Sequence, residues 1–384
     1  MELFNMDYLV IGAGLTGAVI ARKLADHGHK VTIWERRNHI GGNMYDYKDE
    51  HGVNVHKYGP HTFHTNDKKL YDFMLQYEKW ELYALKCGAQ IDGKFTPTPF
   101  NFSTIETFYT EQEAEELKQQ IKSVFGDRTT ATVVEVLSCA NETVRKYGEF
   151  LFAKDYSLYT AKQWGISPDK IDPSVLKRVP LRFSYDEGYF DDKYQVMPVH
   201  SYCEFFQNLL SHENIEVKLG IEALEHLSVS ADGKNILLDG EVSQYKIVYT
   251  GALDELFGMD EGALPYRSLK FEWYYEDIDS LQPYPVTAYP QAEGYTRITE
   301  YKKMPVQKVA GTSYAVEYSL PYKKGEKQEP YYPVLTEESI ALAGRYQERA
   351  KQISDFYCCG RLADFKYYNM DQALERALAM VNKM

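Results

Sequence analysis

The sequence predicts an α/β protein in which a parallel, dinucleotide-binding sheet is interrupted by a helical insert and an antiparallel sheet. Three observations predict this architecture. Residues 7–36 have the pattern of a strand, a glycine-rich turn, a helix and a second strand, the order of a βαβ unit. A helical tract runs from about residue 103 to 154, and residues 269–318 alternate apolar and polar side chains as β-strands do.

The length and composition are those of a globular protein with more than one domain. The chain has 384 residues, more than one hydrophobic core usually serves, of which 44% are hydrophobic and 26% charged. Its formal net charge of −13 argues against nucleic acid or an anionic membrane as a partner, since both attract basic surfaces. The 33 tyrosines outnumber the 18 phenylalanines, which favours polar ligand pockets beside half-buried strand positions.

Cysteine usage and the N-terminus indicate the cytoplasm. The five cysteines include no C-x-x-C pair, and an odd, scattered set is typical of reduced thiols. A strand begins by residue 8, so we expect no signal peptide. No run approaches the roughly 18 uninterrupted apolar residues of a membrane helix.

A dinucleotide-binding motif follows the first predicted strand. The sequence VIGAGLTG places Gly12, Gly14 and Gly17 in the G-x-G-x-x-G spacing at the start of a helix. These glycines allow a tight turn and a close backbone approach, and the helix N-terminus accepts a pyrophosphate. The second strand, KVTIWE, ends at Glu35, where the motif expects an acid on a ribose hydroxyl. Together these features predict a Rossmann-like domain.

The segment after Glu35 favours FAD over NAD. It has the pattern E-R-R-x-x-x-G-G, which resembles a large family of FAD enzymes that includes the flavin amine oxidases. In that family the second glycine pair, here Gly41–Gly42, lets the chain approach the flavin side of the cofactor. Near the C-terminus, a helix starting near Asn369 would aim its positive end at the flavin ring and favour the anionic reduced form. The predicted cofactor residues are Gly12, Gly14, Leu15, Thr16, Gly17, Glu35, Arg36, Gly42, Asn43, His61, Arg361, Asn369 and Met370.

The remaining elements follow in order along the chain. Thr110 at an N-cap position and glutamates in the first turn predict a helix over TEQEAEELKQQIKSVF. Residues 156–200, punctuated by four prolines, are predicted to be loop and irregular structure. Further predicted elements are a helix over Ser201–His212, strands at IEVKLG and KIVYTG, a helix over Glu337–Ile353, a strand at FYCCGR and a closing helix at DQALERALAMVNKM.

These elements divide among three predicted domains. The FAD-binding Rossmann-like domain comprises residues 1–82, about 200–268 and about 336–384. The helical insert, a small bundle, covers about 103–178. The antiparallel β-sheet domain, which we expect to hold the substrate, comprises about 83–102, 179–199 and 269–335.

Two clusters of ligand-type side chains have open interpretations at this point. His56, His61 and His64 fall close together, but Pro60 breaks helical spacing and no cysteine or carboxylate completes a ligand set, so we predict no metal. These histidines either contact the flavin or the substrate, or have a structural role. In LYTAKQWG, Tyr159 and Trp164 are core aromatics or the walls of a pocket for a flat ligand.

Eight segments together resemble the bacterial UDP-galactopyranose mutase family: VIGAGLTGAVIARKLADHGHKVTIWERRNHIGGNMYD, VHKYGPHTFHT, YTAKQWG, LKRVPLRFSYDEGYF, LPYRSLKFE, YTRITE, YYP and GRLADFKYYNMD. They span almost the whole chain in the expected order. The resemblance implies an FAD enzyme that interconverts UDP-galactopyranose and UDP-galactofuranose without net redox change, through a covalent adduct of the reduced flavin N5 with the sugar. It also implies a cytoplasmic homodimer that supplies galactofuranose to cell-surface glycans.

The resemblance also assigns roles to residues that are ambiguous by themselves. Arg178 and Arg297, which sequence context alone would leave as surface charges, become the catalytic pair on the diphosphate, with Arg178 on a mobile loop. Tyr159 is expected to stack on uracil, and Trp164 to shape the pocket. The implied substrate-binding residues are Tyr159, Thr160, Gln163, Trp164, Tyr189, Arg267, Tyr332, Tyr367 and His64.

The chain departs from the family pattern in three places. GRLADFKYY replaces the more frequent GRLGTYxY, Asn369 stands where aspartate is common, and LFAKDYSLYT differs from the usual aromatic pair before YT. Two alternative functions share the cofactor loop: a flavin oxidase or dehydrogenase, and a non-enzymatic binding protein like the Rab GDP-dissociation inhibitors. The first does not account for the two arginines and the KQWG block, and the intact cofactor loop argues against the second.

Overall fold

A computed structural model describes residues 7–165 and 179–384. Its helices are α1 (Leu15–Asp26), α2 (Lys68–Met74), α3 (Phe102–Phe108), α4 (Glu111–Phe125), α5 (Val133–Leu137), α6 (Glu142–Leu151), α7 (Ser157–Trp164), α8 (Tyr202–Leu210), α9 (Leu253–Leu256), α10 (Glu337–Ala350) and α11 (Met370–Val381). Its strands are β1 (Asp7–Ile11), β2 (Lys30–Glu35), β3 (Asp46–Lys48), β4 (Asn54–His56), β5 (Phe63–Thr65), β6 (Trp80–Leu82), β7 (Cys87–Ile91), β8 (Lys94–Thr98), β9 (Thr130–Ala131), β10 (Leu181–Arg182), β11 (Tyr194–Pro198), β12 (Ile215–Leu219), β13 (Leu227–Val229), β14 (Ile236–Leu238), β15 (Glu241–Val242), β16 (Lys246–Tyr249), β17 (Tyr266–Glu276), β18 (Val286–Ala288), β19 (Arg297–Glu300), β20 (Thr312–Pro321), β21 (Tyr332–Pro333) and β22 (Phe356–Cys358).

A five-stranded parallel sheet confirms the predicted Rossmann-like domain. Its strand order is β12-β2-β1-β16-β22, and every neighbouring pair is parallel. One face packs against α1, α8 and α11, and the opposite face against α9 and α10. Because β1 and β2 are parallel neighbours, the glycine-rich turn and Glu35 both emerge at the carboxyl edge of the sheet.

A seven-stranded sheet confirms the predicted antiparallel part. Its order is β21-β17-β20-β19-β18-β7-β8, and all neighbours are antiparallel except β18 and β7. The register places Arg297 of β19 directly opposite Glu317 of β20. Two segments far apart in sequence, residues 87–98 and 266–333, therefore build one surface.

The helical insert has a hydrophobic core of its own. Leu117 and Ile121 of α4 pack with Val144 and Leu151 of α6. The predicted cap at Thr110 is present, since its hydroxyl accepts from the Glu113 amide, in a reciprocal capping box. Among the helices of residues 7–165 and 179–384, none combines the length and apolar composition needed to cross a bilayer.

The prediction of irregular structure over residues 156–200 is wrong at its start. Residues 157–164 form α7, which continues α6 through a π-helical turn at Phe152–Tyr156. The physical reason is that residues 149–164 contain no proline or glycine, so nothing interrupts the helix before Gly165, which adopts the left-handed conformation that ends it.

Two strands of residues 179–199 lie apart from the seven-stranded sheet, and the first of them, β10, pairs with β9 of the helical insert. β11, within predicted sheet residues 179–199, pairs instead with β5 and β6 of the N-terminal segment. It forms a small antiparallel sheet that faces the cleft described below. The other domain boundaries stay predictions.

Candidate active site

The predicted dinucleotide loop lies between β1 and α1. A Cβ on Gly17 would lie 2.0 Å from the Gly12 carbonyl oxygen, so the turn closes only with glycine there. Helix α1 begins after Gly14 without a side-chain cap and without an acidic residue in its first turn, which contains Leu15 and Thr16. Its positive end is therefore available for an anion such as a pyrophosphate.

The second glycine pair packs directly on this loop. A Cβ on Gly42 would lie 2.8 Å from the Cα of Gly14, and the Gly41 amide donates a 2.9 Å hydrogen bond to the Ala13 carbonyl oxygen. The two backbones thus meet with no side chain between them. We call this contact of Gly14 with Gly42 the glycine cradle, and it allows a dinucleotide to approach the backbone closely. The same turn carries Asn43 to the cleft.

Glu35 ties the end of β2 to the glycine loop. Its buried carboxylate accepts hydrogen bonds from the amides of Ala13 (2.8 Å) and Arg37 (2.9 Å). Arg36 and Arg37 both form ion pairs with Glu329. Glu35 and Arg36 therefore lie beside the loop as predicted, while their contacts to a cofactor stay predictions.

One cleft of about 840 Å³ joins the parallel sheet, the helical insert and the seven-stranded sheet. It collects most of the side chains that the sequence predicted for flavin and substrate. Those that line it are Asn43, His61, His64, Tyr159, Thr160, Gln163, Trp164, Tyr189, Arg297, Tyr332, Arg361, Tyr367, Asn369 and Met370.

The start of α11 forms one end of the cleft. The helix begins at Met370, after Asn369, so its positive end opens on the cavity. Arg361 fixes this end to the sheet, since its guanidinium donates to the carbonyl oxygens of Tyr331 (3.2 Å) and Tyr368 (2.7 Å). The positive helix end and Arg361 together suit an electron-rich ring.

Helix α7 forms the opposite wall and is held by a half-buried lysine. The Lys162 ammonium donates to three carbonyl oxygens, those of Tyr289 (2.6 Å), Ala292 (2.8 Å) and Tyr295 (2.8 Å). Burial lowers the pKa of Lys162 to about 8. Burial also raises the pKa of Tyr159 above its usual range, so the phenol that faces the cleft stays protonated.

Arg297 stands between these two walls with its orientation fixed. Its Nε donates a 2.8 Å hydrogen bond to the carboxylate of Glu317, which is only 6% exposed. The rings of Tyr332 and Tyr367 stack with centroids 5.5 Å apart, and the Arg361 guanidinium lies 5.5 Å from the Tyr332 centroid. Burial raises the pKa of Tyr332 to about 12, so its hydroxyl remains a hydrogen-bond donor.

The two cleft histidines have separate partners. The Nδ1 of His61 lies 2.8 Å from the Gly59 carbonyl oxygen, and burial lowers the pKa of His61 to about 3, so its ring is neutral. The Nδ1 of His64 lies 2.8 Å from the Asp192 carboxylate, and its ring stacks on Phe190 at 3.6 Å. Both rings are therefore held in place by other residues that line the cleft, Gly59, Asp192 and Phe190.

A family model described as UDP-galactopyranose mutase matches residues 154–367, more than half of the chain. The chain belongs to the UDP-galactopyranose mutase family. A model of the NAD(P)-binding Rossmann-like domain matches residues 10–77, which contain the glycine loop and Glu35.

Two curated relatives extend the match to nearly the full length. The dTDP-fucopyranose mutase of Escherichia coli is 36% identical over 96% of this chain and 96% of its own. The UDP-galactopyranose mutase of Mycoplasma pneumoniae is 33% identical over 99% of this chain and 96% of its own. A solved structure of reduced UDP-galactopyranose mutase shares the fold, with a TM-score of 0.69, 17% identity, and coverage of 98% of this chain and 95% of that one. This chain is therefore an isomerase, and the comparisons support a flavin cofactor.

Arg267 is not among the described residues that line the cleft, and its predicted contact with substrate stays a prediction. Its Nε donates to the Gln163 carbonyl oxygen (3.0 Å), and its Nη2 to the Ser319 hydroxyl (3.0 Å). It packs over Gly165, so it positions the C-terminal turn of α7. Arg178 lies outside the described residues.

Sequence reasoning missed several acids of the cleft region, among them Glu317 and Asp155. Glu317 orients Arg297, but its signal is a cross-strand register that no local pattern reveals. Asp155 lines the cleft from the π-helical turn. Its one signal in the sequence is the departure from the family's aromatic pair before Tyr159.

Replacing Gly42 with alanine tests the glycine cradle. The added methyl group would meet the Gly14 backbone, so we expect FAD affinity to fall at least tenfold and the Tm to fall by several degrees, from roughly 1–3 kcal/mol of overpacking. Flavin absorbance per chain and thermal unfolding measure both. Gly52→Ala is the control, because Gly52 also has positive φ (+81°) but no atom within 4 Å of its Cβ. Normal FAD affinity in Gly42→Ala would contradict the cradle.

Replacing Arg267 with methionine tests its positioning role. The change removes the bonds to Gln163 and Ser319 but keeps a long side chain, so we expect UDP to bind roughly tenfold more weakly, with flavin content unchanged. Titration calorimetry measures the affinity. Arg345→Met removes an exposed arginine of α10 and should bind UDP as the wild type does. Wild-type UDP affinity in Arg267→Met, or loss of its flavin, would refute the role.

Proposed function

We propose that the protein interconverts UDP-galactopyranose and UDP-galactofuranose with no net redox change. The observation that carries the proposal is the single cleft that collects an aromatic wall on α7, an oriented arginine on β19 and the positive end of α11. A nucleotide sugar and a flavin ring can share such a cleft, so the anomeric carbon can lie beside the cofactor. Bound FAD in its reduced form would supply the nucleophile, its N5 atom, for that carbon.

Arg297 stabilises the diphosphate as it leaves the sugar. Because Glu317 engages Nε, the two terminal amino groups of the guanidinium remain for the phosphate oxygens, with no hydrogen-bond partner among the described residues. Such charge-assisted, bidentate contacts are what a departing diphosphate requires. Arg178, on a loop by resemblance, would supply the second positive charge.

The tyrosines of the cleft hold the sugar between the two ends. Tyr189, Tyr332 and Tyr367 line the same cavity, and the raised pKa of Tyr332 keeps its proton for donation to sugar or phosphate oxygens. Tyr159 offers a flat ring for the uracil base. Thr160 supplies a hydroxyl one residue farther along α7.

The setting of the reaction follows from the family resemblance. The enzyme would act as a homodimer in the cytoplasm and would supply galactofuranose for surface glycans. Its odd, unpaired set of cysteines supports a reducing compartment.

A second candidate substrate is dTDP-fucopyranose. The Escherichia coli mutase named for that sugar is 36% identical to this chain, against 33% for the Mycoplasma pneumoniae mutase. The ring contraction would be the same, on a 6-deoxy sugar joined to thymidine diphosphate. The cleft residues named above serve either nucleotide.

The test is an anaerobic assay of dithionite-reduced protein with UDP-galactopyranose and, separately, dTDP-fucopyranose. Chromatography of the nucleotide sugars should show furanose product with reduced flavin and a rate at least tenfold lower with oxidised flavin. The galactose substrate should have the higher kcat/KM. A higher kcat/KM for dTDP-fucopyranose would replace the first candidate with the second. Equal turnover by oxidised protein, or none by reduced protein with either sugar, would contradict the mutase proposal.

A further inference from the structure

The π-helical turn between α6 and α7 places an acid in the cleft wall. Over Phe152–Tyr156 the hydrogen bonds widen, and the Ser157 amide reaches back to the Phe152 carbonyl oxygen. Such single turns occur frequently at functional sites, because the extra residue re-aims the side chains around it. Here the turn carries Asp155, which is 8% exposed and lines the cleft with Tyr159 and Thr160.

The Asp155 carboxyl group has no hydrogen-bond partner within residues 7–165 and 179–384. Lys162, the cation whose charge acts on Asp155, is engaged by three carbonyl oxygens. Burial without a partner disfavours the charged form and raises the pKa of Asp155 to about 7. A bound ligand that offered a donor there would offset this cost.

The position of Asp155 relative to Tyr159 decides which part of a ligand it meets. The two residues are four apart, so they lie on one face of the helix, and helical side chains lean toward the N-terminus. The Tyr159 ring therefore leans toward the turn that holds Asp155. A planar base stacked on that ring presents an edge to the carboxyl group.

The C-terminal end of α7 indicates which edge of the base meets the carboxyl group of Asp155. Gln163 is tied through Arg267 and Ser319 to β20, two residues from Glu317, the partner of Arg297. Asp155 lies roughly 12 Å farther along the helix, at about 1.5 Å per residue. If a nucleotide has its diphosphate at Arg297 and its base stacked on Tyr159, the edge of the base that is opposite the ribose points toward Asp155.

We infer that Asp155 is a specificity-determining residue that accepts a hydrogen bond from the imide N3–H of a uracil or thymine base. The inference rests on the proposed function, because it requires a pyrimidine nucleotide in this cleft. It holds for either candidate substrate, since uracil and thymine carry the same imide.

The test compares binding of UDP and 3-methyluridine diphosphate, which lacks the N3–H donor, to FAD-loaded protein at pH 8.5. Wild type should bind UDP at least tenfold more tightly than the methylated nucleotide. Asp155→Ala should weaken UDP binding roughly tenfold or more, and that of the methylated nucleotide no more than about twofold. Asp155→Asn, whose amide oxygen also accepts, should restore most of the UDP affinity.

Glu149→Ala is the matched control, since it removes an exposed carboxylate from α6 and should leave both affinities unchanged. Flavin content reports folding of every variant, and Asp155→Asn keeps the test decisive if the alanine variant is unstable. Equal weakening of both nucleotides in the Asp155 variants, or equal affinity of the wild type for both, would overturn the inference alone. A wild type that binds neither nucleotide would overturn the proposed function as well.

Discussion

The contact between Gly14 and Gly42 is the constraint on which the rest of the site depends. Two backbones meet there with no side chain between them, so α1 and the turn at Gly42–Met44 are fixed on one edge of the parallel sheet. Glu35 reinforces the arrangement by accepting the Ala13 amide between the two glycine elements. As a result, the positive end of α1, where a pyrophosphate would bind, and Asn43, where the cleft begins, have a fixed separation.

The opposite wall of the cleft, helix α7, is held by charged side chains instead of by glycine contacts. Helix α7 is anchored by two cations that bind main-chain oxygens: Arg267 holds the Gln163 carbonyl, and Lys162 holds three carbonyls of the 289–295 segment. Hydrogen bonds to charged groups contribute roughly 1.5–3 kcal/mol each, so this helix is tightly positioned. Because both cations serve the scaffold, the charge that we propose for the diphosphate is that of Arg297 on the neighbouring sheet.

The sequence predicted those features of the fold and the site that are determined by residues close together in the chain. The glycine loop, Glu35 and the parallel sheet were predictable because turn, helix and acid follow one another within 35 residues. The partner of Arg297 was not, since Glu317 lies 20 residues away across a strand register. The role of Arg267 depends on contact with a carbonyl 104 residues earlier in the chain. Helix α7 was missed because the prolines after residue 165 dominated the pattern of a segment whose first part contains no helix breaker.

The central claim is that one cleft holds the flavin ring and the nucleotide sugar side by side, with the sugar's nucleotide on α7. The most direct measurement is a crystal structure of the FAD-loaded protein with bound UDP. We expect the flavin ring at the start of α11 beside Arg361, the uracil base on Tyr159 and the diphosphate on the terminal amino groups of Arg297. UDP bound outside this cleft, or bound within it with its base away from α7, would contradict the account.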